Sequence, residues 1–132
     1  MAEASEAVDE AQLAEGVKRR EIEVSGLLQR KDKLRALAVS LQNPPVASKS
    51  AELKDANAAT VEKVVSALND AEIGAAVESL DMEGCDTLMK YVYKFMAGPT
   101  TNNAFLLKLH AALFEKAGHG AIIRSMTDRK QV

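Results

Sequence analysis

The 132-residue chain has no tryptophan, one cysteine, three prolines, two histidines and, among aromatics, two tyrosines and three phenylalanines. Each scarcity excludes something. A lone Cys85 forbids an internal disulfide and points to a reducing compartment. One cysteine and two histidines supply no paired ligand set for a structural zinc. With so few rings, aliphatic side chains and methionine must fill any core. No apolar run approaches the ~20 residues of a membrane span. The opening MAEASEAVDE also lacks the basic and apolar regions of a secretory signal. Lys and Arg are missing from the first sixteen residues, where Glu3, Glu6, Asp9, Glu10 and Glu15 give −5. The chain as a whole carries −2, so the remainder is +3. An acidic, alanine-rich lead-in without large apolar residues cannot offset its own ordering entropy. Residues 1–16 are therefore expected to form a mobile acidic arm ahead of a helical domain over 17–132.

What is present is 47% hydrophobic residues, enough for one core in a domain of this length. Their spacing is helical. In VKRREIEVSGLLQR, Val17, Val24 and Leu28 share a face that Leu13 extends. KDKLRALAVSLQ sets Leu34, Leu37, Ala38 and Leu41 at i, i+3, i+4 and i+7, before a stop at Asn43-Pro44. Ser48 or Ser50 caps the next helix, striped by Leu53, Val61, Val64, Val65 and Leu68. Asn69 or Asp70 opens a short one with Ile73, Ala76, Val77 and Leu80. Asp81 starts another that Gly98-Pro99 ends, and two more follow. The pattern predicts an all-α single domain of about seven short helices, packed as a bundle or superhelix.

The segment from Met82 to Ala97 carries more apolar surface than one core face needs. Leu88, Val92 and Phe95 lie along one line and Met89, Tyr93 and Met96 along a neighbouring one. In the following helix Leu106, Leu109 and Leu113 lie along one line and His110 and Phe114 along another. Either these helices are sandwiched inside the bundle or another protein covers part of them.

Chemistry-bearing motifs are few. Gly118-His119-Gly120 lacks the Gly-Lys-Ser/Thr ending of a phosphate loop and has no strand before it, so it is a joint between helices. His110 and His119 are nine apart, which does not align two ligands on one helical face. A nucleophilic pair of Cys85 with a histidine is disfavoured, because the carboxylates beside Cys85 raise a thiol pKa. The stretch from 18 to 35 holds Lys18, Arg19, Arg20, Arg30, Lys31, Lys33 and Arg35 against Glu21, Glu23 and Asp32. It offers a second reading of the chain, as a free-standing helical module that binds acidic partners there. With no aromatic platform in that stretch, nucleic acid is not the expected partner. No catalytic, cofactor-binding or metal-ligating residue is expected, and no membrane insertion.

Several blocks occur in order from about Leu41 to Val132. They are LQNPP with SKS soon after, AVESLDMEGCDTLMKYVYK, LLKLH and the closing GHGAIIRSMTDRKQV. Together they resemble subunit 5 of the actin-related protein 2/3 complex, the small helical subunit of that actin-branching machine. The resemblance implies a non-enzymatic structural subunit without a cofactor, in the cytoplasm with the actin cytoskeleton at the cell cortex, protrusions or actin patches. It also implies packing against subunits 4 and 1, an N-terminal arm toward actin-related protein 2, and contact with the actin filament through the complex. Lys90, Tyr91, Tyr93, Lys94, His110, Arg124, Arg129 and Lys130 lie in the most family-like segments and are the candidate partner-contact residues.

Overall fold

The computed structural model describes the backbone of residues 2–42, 44–45, 48, 50–98, 103–127 and 132, and side chains from Glu10 onward except those of 119 and 121. Seven α-helices and no strand are found among the described residues. They are α1 (Ala2–Gln29), α2 (Lys33–Ser40), α3 (Ala51–Ala67), α4 (Ile73–Glu78), α5 (Met82–Ala97), α6 (Asn103–Ala117) and α7 (His119–Thr127), with a 3-10 turn at Asp70–Glu72.

Helix α1 differs from expectation in length. It begins at Ala2 rather than near Val17, so the boundary drawn at residue 16 coincides with no break in the helix. The physical reason is composition. Ala2, Ala4, Ala7, Ala11 and Ala14 favour helix intrinsically. Periodicity of large apolar residues, which starts at Leu13, does not report such a stretch.

Helix ends follow local chemistry. The Asp32 carboxylate accepts from the Arg35 N–H at the start of α2, Ser50 Oγ from the Leu53 N–H at the start of α3, and Asp81 from the Gly84 N–H at the start of α5. Asn69 and Glu72 form a reciprocal capping box on the 3-10 turn. The Glu72 carboxyl is held below its usual range by the Asn69 N–H first and by Lys33 second. Helix α4 has no side-chain cap at its start. Its end is closed instead by Lys116 from α6, whose ammonium donates to the carbonyls of Val77, Glu78 and Leu80.

Two packing groups make the fold. Helices α1, α2 and α3 contact one another, as do α5, α6 and α7; α4 lies between α2 and α6, and α3 touches α5. A single apolar cluster runs through both groups, from Val24 and Leu27 to Leu109 and Leu113, with Val132 at its edge. In α2 the buried set is Ala36, Leu37, Val39 and Ser40, followed by Leu41, while Leu34 is part exposed and Ala38 half-buried. The expected stripe is thus displaced. An eight-residue helix with α1, α3 and α4 against it buries most of its circumference, not one face.

The apolar excess of α5 is used internally. Cys85, Leu88, Met89, Tyr91, Val92 and Phe95 are buried, with α3, α6 and α7 as neighbours. Of the two alternatives left open by the sequence, α5 takes the sandwiched one.

Candidate functional site

At the centre, Tyr91 is fully enclosed at 0% exposure and is joined to two other helices by a polar chain. The Asn57 Nδ2 on α3 donates to Tyr91 Oη at 2.5 Å, and Arg20 Nε on α1 donates to Asn57 Oδ1 at 3.2 Å. The Arg20 Nη2 is buried and has no hydrogen-bond partner among the described residues. Burial pushes the Arg20 pKa down and the Tyr91 phenol up, the latter opposed by the Asn57 hydrogen bond and the Arg20 charge. The chain ties α1, α3 and α5 at one point. It also removes Tyr91 from any surface.

The other candidate residues have partners of their own. Tyr93 Oη lies 2.8 Å from His110 Nε2, with the rings edge to face at 5.4 Å, so the two half-buried side chains staple α5 to α6. Lys94 Nζ donates to the Val132 carbonyl at 3.0 Å and pairs with Asp55 on α3 at 3.2 Å. Arg124 of α7 makes a two-pronged contact with Asp86 of α5, Nε and Nη2 each 2.8 Å from a carboxylate oxygen. That hydrogen bonding raises the Arg124 pKa further. Arg129 and Lys130 lie outside the described residues.

The glycine pair at the start of α7 also resolves into packing. Gly118 has φ +75°, a left-handed helix end, and its N–H donates to Phe114 O at 2.8 Å. At Gly120 a Cβ would come within 2.8 Å of an Arg124 guanidinium nitrogen, so the missing side chain leaves room for Arg124 to lie back. The His119 side chain lies outside the described ones.

Cys85 is at 0% exposure and its thiol is pushed up, chiefly by burial. Lys116 opposes this, while Asp86, Asp81 and Glu78 add to it. No group of three His, Cys, Asp or Glu is placed to hold a metal among the described residues. No described helix is long and apolar enough to cross a membrane.

What the surface does offer is apolar. Ile123 and Met126, three apart on α7, are 58% and 65% exposed, and Leu107 on α6 is 56% exposed between exposed Ala104 and Ala111. An open groove of about 690 Å³ runs between the end of α2 and the start of α5. Leu41, Pro44, Asp81, Asp86, Lys90 and Val132 are among its lining residues, which puts the half-buried Lys90 on its wall.

Sequence reasoning missed Asn57 and counted Arg20 only among the cations of the basic stretch, whereas its guanidinium turns inward to Asn57. Both carried a signal. Arg20 occupies a seam position in the 17, 20, 24, 27 series of α1, and Asn57 stands four residues before Val61 on the α3 stripe. A polar residue in an apolar register position marks a buried network.

Comparison with known proteins carries the identity further than these contacts. The ARP2/3 complex 16 kDa subunit (p16-Arc) family matches residues 2–132, well upstream of Leu41, where the recognisable blocks begin. Actin-related protein 2/3 complex subunit 5-like protein of Homo sapiens is 44% identical over 111 residues, covering 83% of this chain and 72% of that one. Subunit 5-C of Xenopus laevis is 39% identical over 127 residues, covering 95% and 85%. Subunit 5 of Dictyostelium discoideum is 33% identical over 123 residues, covering 93% and 88%. An all-helical chain matched from Ala2 to its last residue belongs to the ARP2/3 complex 16 kDa subunit (p16-Arc) family.

Proposed function

We infer that this chain is a structural, non-catalytic subunit of the actin-related protein 2/3 complex and contributes to assembling the machine that nucleates branched actin filaments. The family match over residues 2–132 carries the reading. The surface is in keeping with it, since Leu107, Ile123 and Met126 are large apolar side chains that a partner subunit can cover. Subunits 4 and 1 are the proposed neighbours of the helical body, with actin-related protein 2 reached by residues 1–16 and the actin filament reached through the complex. Lys90, Tyr93, Lys94, His110, Arg124, Arg129 and Lys130 are the proposed contact residues. Tyr91 supports them from inside. The proposed location is the cytoplasmic actin cytoskeleton at the cortex, protrusions or actin patches.

The test is affinity purification of the tagged chain from its own cells at mild salt, with mass spectrometry of what accompanies it. Both actin-related proteins and the remaining subunits should be recovered in equal amounts; a chain recovered alone would overturn the assignment. Deleting residues 1–16 should weaken retention of actin-related protein 2 and leave the other subunits bound. Unchanged retention would remove the tethering role from that segment.

A further inference from the structure

Among the described residues two helices end in a left-handed residue, and they solve the same problem differently. At the end of α6 the residue is Gly118, for which positive φ carries no steric penalty. At the end of α1 it is Lys31, φ +61°, in a reciprocal pair of closing hydrogen bonds: Lys31 N–H to Leu28 O at 3.0 Å and Asp32 N–H to Leu27 O at 2.9 Å. A lysine here bears the clash between Cβ and backbone that glycine avoids. Favourable interaction with the negative helix end does not account for it, because Arg30 already supplies a cation there. Strain retained at a surface corner calls for a use of the side chain.

The surroundings say what use. Arg30, Lys31 and Arg35 are exposed within six residues of one another, and none of them forms an ion pair among the described residues. The other cations of the basic stretch are engaged: Arg19 with Glu15, Arg20 with Asn57 and Lys33 with Glu72. Only Lys18 is similarly unpaired, roughly 18 Å away along the helix axis. Of the carboxylates at the corner, Asp32 is turned to cap α2 and Glu72 is taken up by Lys33. Leu34, 38% exposed, is the one large apolar side chain left part exposed between residues 30 and 35.

We propose that the α1–α2 corner, with the exposed cations Arg30, Lys31 and Arg35 and the part-exposed Leu34, docks an acidic peptide segment of a partner protein that also carries an apolar side chain. The proposal goes beyond membership of the complex and does not depend on it. A short acidic segment fits better than the other polyanions. Duplex nucleic acid is held through many phosphate contacts and single strands through aromatic stacking, and the corner offers three cations and no aromatic ring. A membrane plane laid along α1 would also meet the exposed carboxylates Glu15, Glu21 and Glu23, which anionic lipid repels. A peptide can touch the corner alone.

The experiment is fluorescence anisotropy on the purified full chain. The probe is a labelled twelve-residue peptide of Glu and Asp with two leucines, compared with a Gln/Asn version and with vesicles containing phosphatidylserine. The acidic peptide should bind, and its affinity should fall as salt rises. It should weaken about threefold to fivefold for Lys31→Gly and more than tenfold for Arg30→Gln/Lys31→Gly/Arg35→Gln. Leu34→Ser should weaken it as well. Lys31→Gly keeps the helix end, so loss of binding without loss of thermal stability separates docking from folding. Lys63→Gln, an exposed cation on α3, should change nothing. Equal binding of the Gln/Asn peptide, or full binding by Lys31→Gly, overturns the proposal. Binding to vesicles with none to the peptide overturns it as well and makes a lipid surface the partner.

Discussion

Helices α1 and α5 are held in opposite ways. Helix α5, sixteen residues long, is enclosed by α3, α6 and α7 and buries Leu88, Met89, Tyr91 and Val92 at 0% exposure. Helix α1 is twenty-eight residues long, yet its fully buried apolar residues are Val17, Val24 and Leu27, and the seam position between Val17 and Val24 is given to Arg20. Beyond Val17 toward the N-terminus, Leu13 and Ala14 are half-buried, and Glu10 accepts from Ser48 Oγ at 2.9 Å. Length is therefore no measure of attachment. The shorter helix is the keel of the fold, and the longer one is fastened by a short seam and a polar chain.

The contrast is broken most directly at its apolar ends. Leu88→Ala should cost about 3–4 kcal/mol, because methylenes lost among fixed neighbours leave a cavity that three packed helices cannot close. Val17→Ala removes two methylene equivalents and should cost only about 1–2 kcal/mol, since an outer helix can settle inward. Urea denaturation of the two variants checks the difference. Equal losses would mean that α1 is packed as rigidly as α5 and that the contrast is wrong.

The polar chain sharpens it next. Asn57→Ala leaves the enclosed Tyr91 hydroxyl and the Arg20 Nε without a partner and should cost about 1–3 kcal/mol. Tyr91 adds a pH signature. Burial raises its folded pKa above the ordinary phenol value of about 10. As pH climbs past that value the unfolded phenol loses its proton while the enclosed one keeps it. Its contribution is thus complete below about pH 10 and is lost as pH rises toward the folded pKa. Tyr91→Phe should lower stability at neutral pH, through loss of the Asn57 bond, and flatten the alkaline decline. An unchanged alkaline limb in denaturation midpoints between pH 8 and 11 would show that Tyr91 is not the group lost there.

Periodicity made the helices legible where large apolar residues recur, as in α4, where Ile73, Ala76, Val77 and Leu80 are all buried as expected. It misplaced α2, because the rule assumes one buried face and α2 has neighbours on several. It could not show whether α5 was overloaded or merely central, since that depends on which helices close around it. The candidate contacts were the least legible part. Lys94 and Arg124 are candidate partner-contact residues from the sequence, and their intramolecular partners Asp55 and Asp86 lie thirty-nine and thirty-eight residues away, beyond any local rule. The family blocks began near Leu41, although the match starts at residue 2, because an alanine- and glutamate-rich helix keeps its fold under substitutions that erase a recognisable motif.

The smallest effects lie at the two left-handed helix ends, and they should have opposite signs. Gly118→Ala places a Cβ at φ +75° where nothing lies within 4 Å, so its cost is backbone strain alone. That strain, about 1–2 kcal/mol, is partly offset by the reduced freedom of the unfolded chain, leaving a loss of about 1 kcal/mol. Lys31→Gly reverses the exchange and gives up a cation near the end of α1, so a gain of about 0.5 kcal/mol is expected. A thermal shift of a degree or two in each direction is measurable by calorimetry. If Lys31→Gly destabilises, the lysine is there to hold the helix end, and the strain argument for a docking role at that corner fails with it. If it stabilises while acidic-peptide binding weakens, the residue trades stability for recognition, which is the pattern expected of a surface kept for a partner.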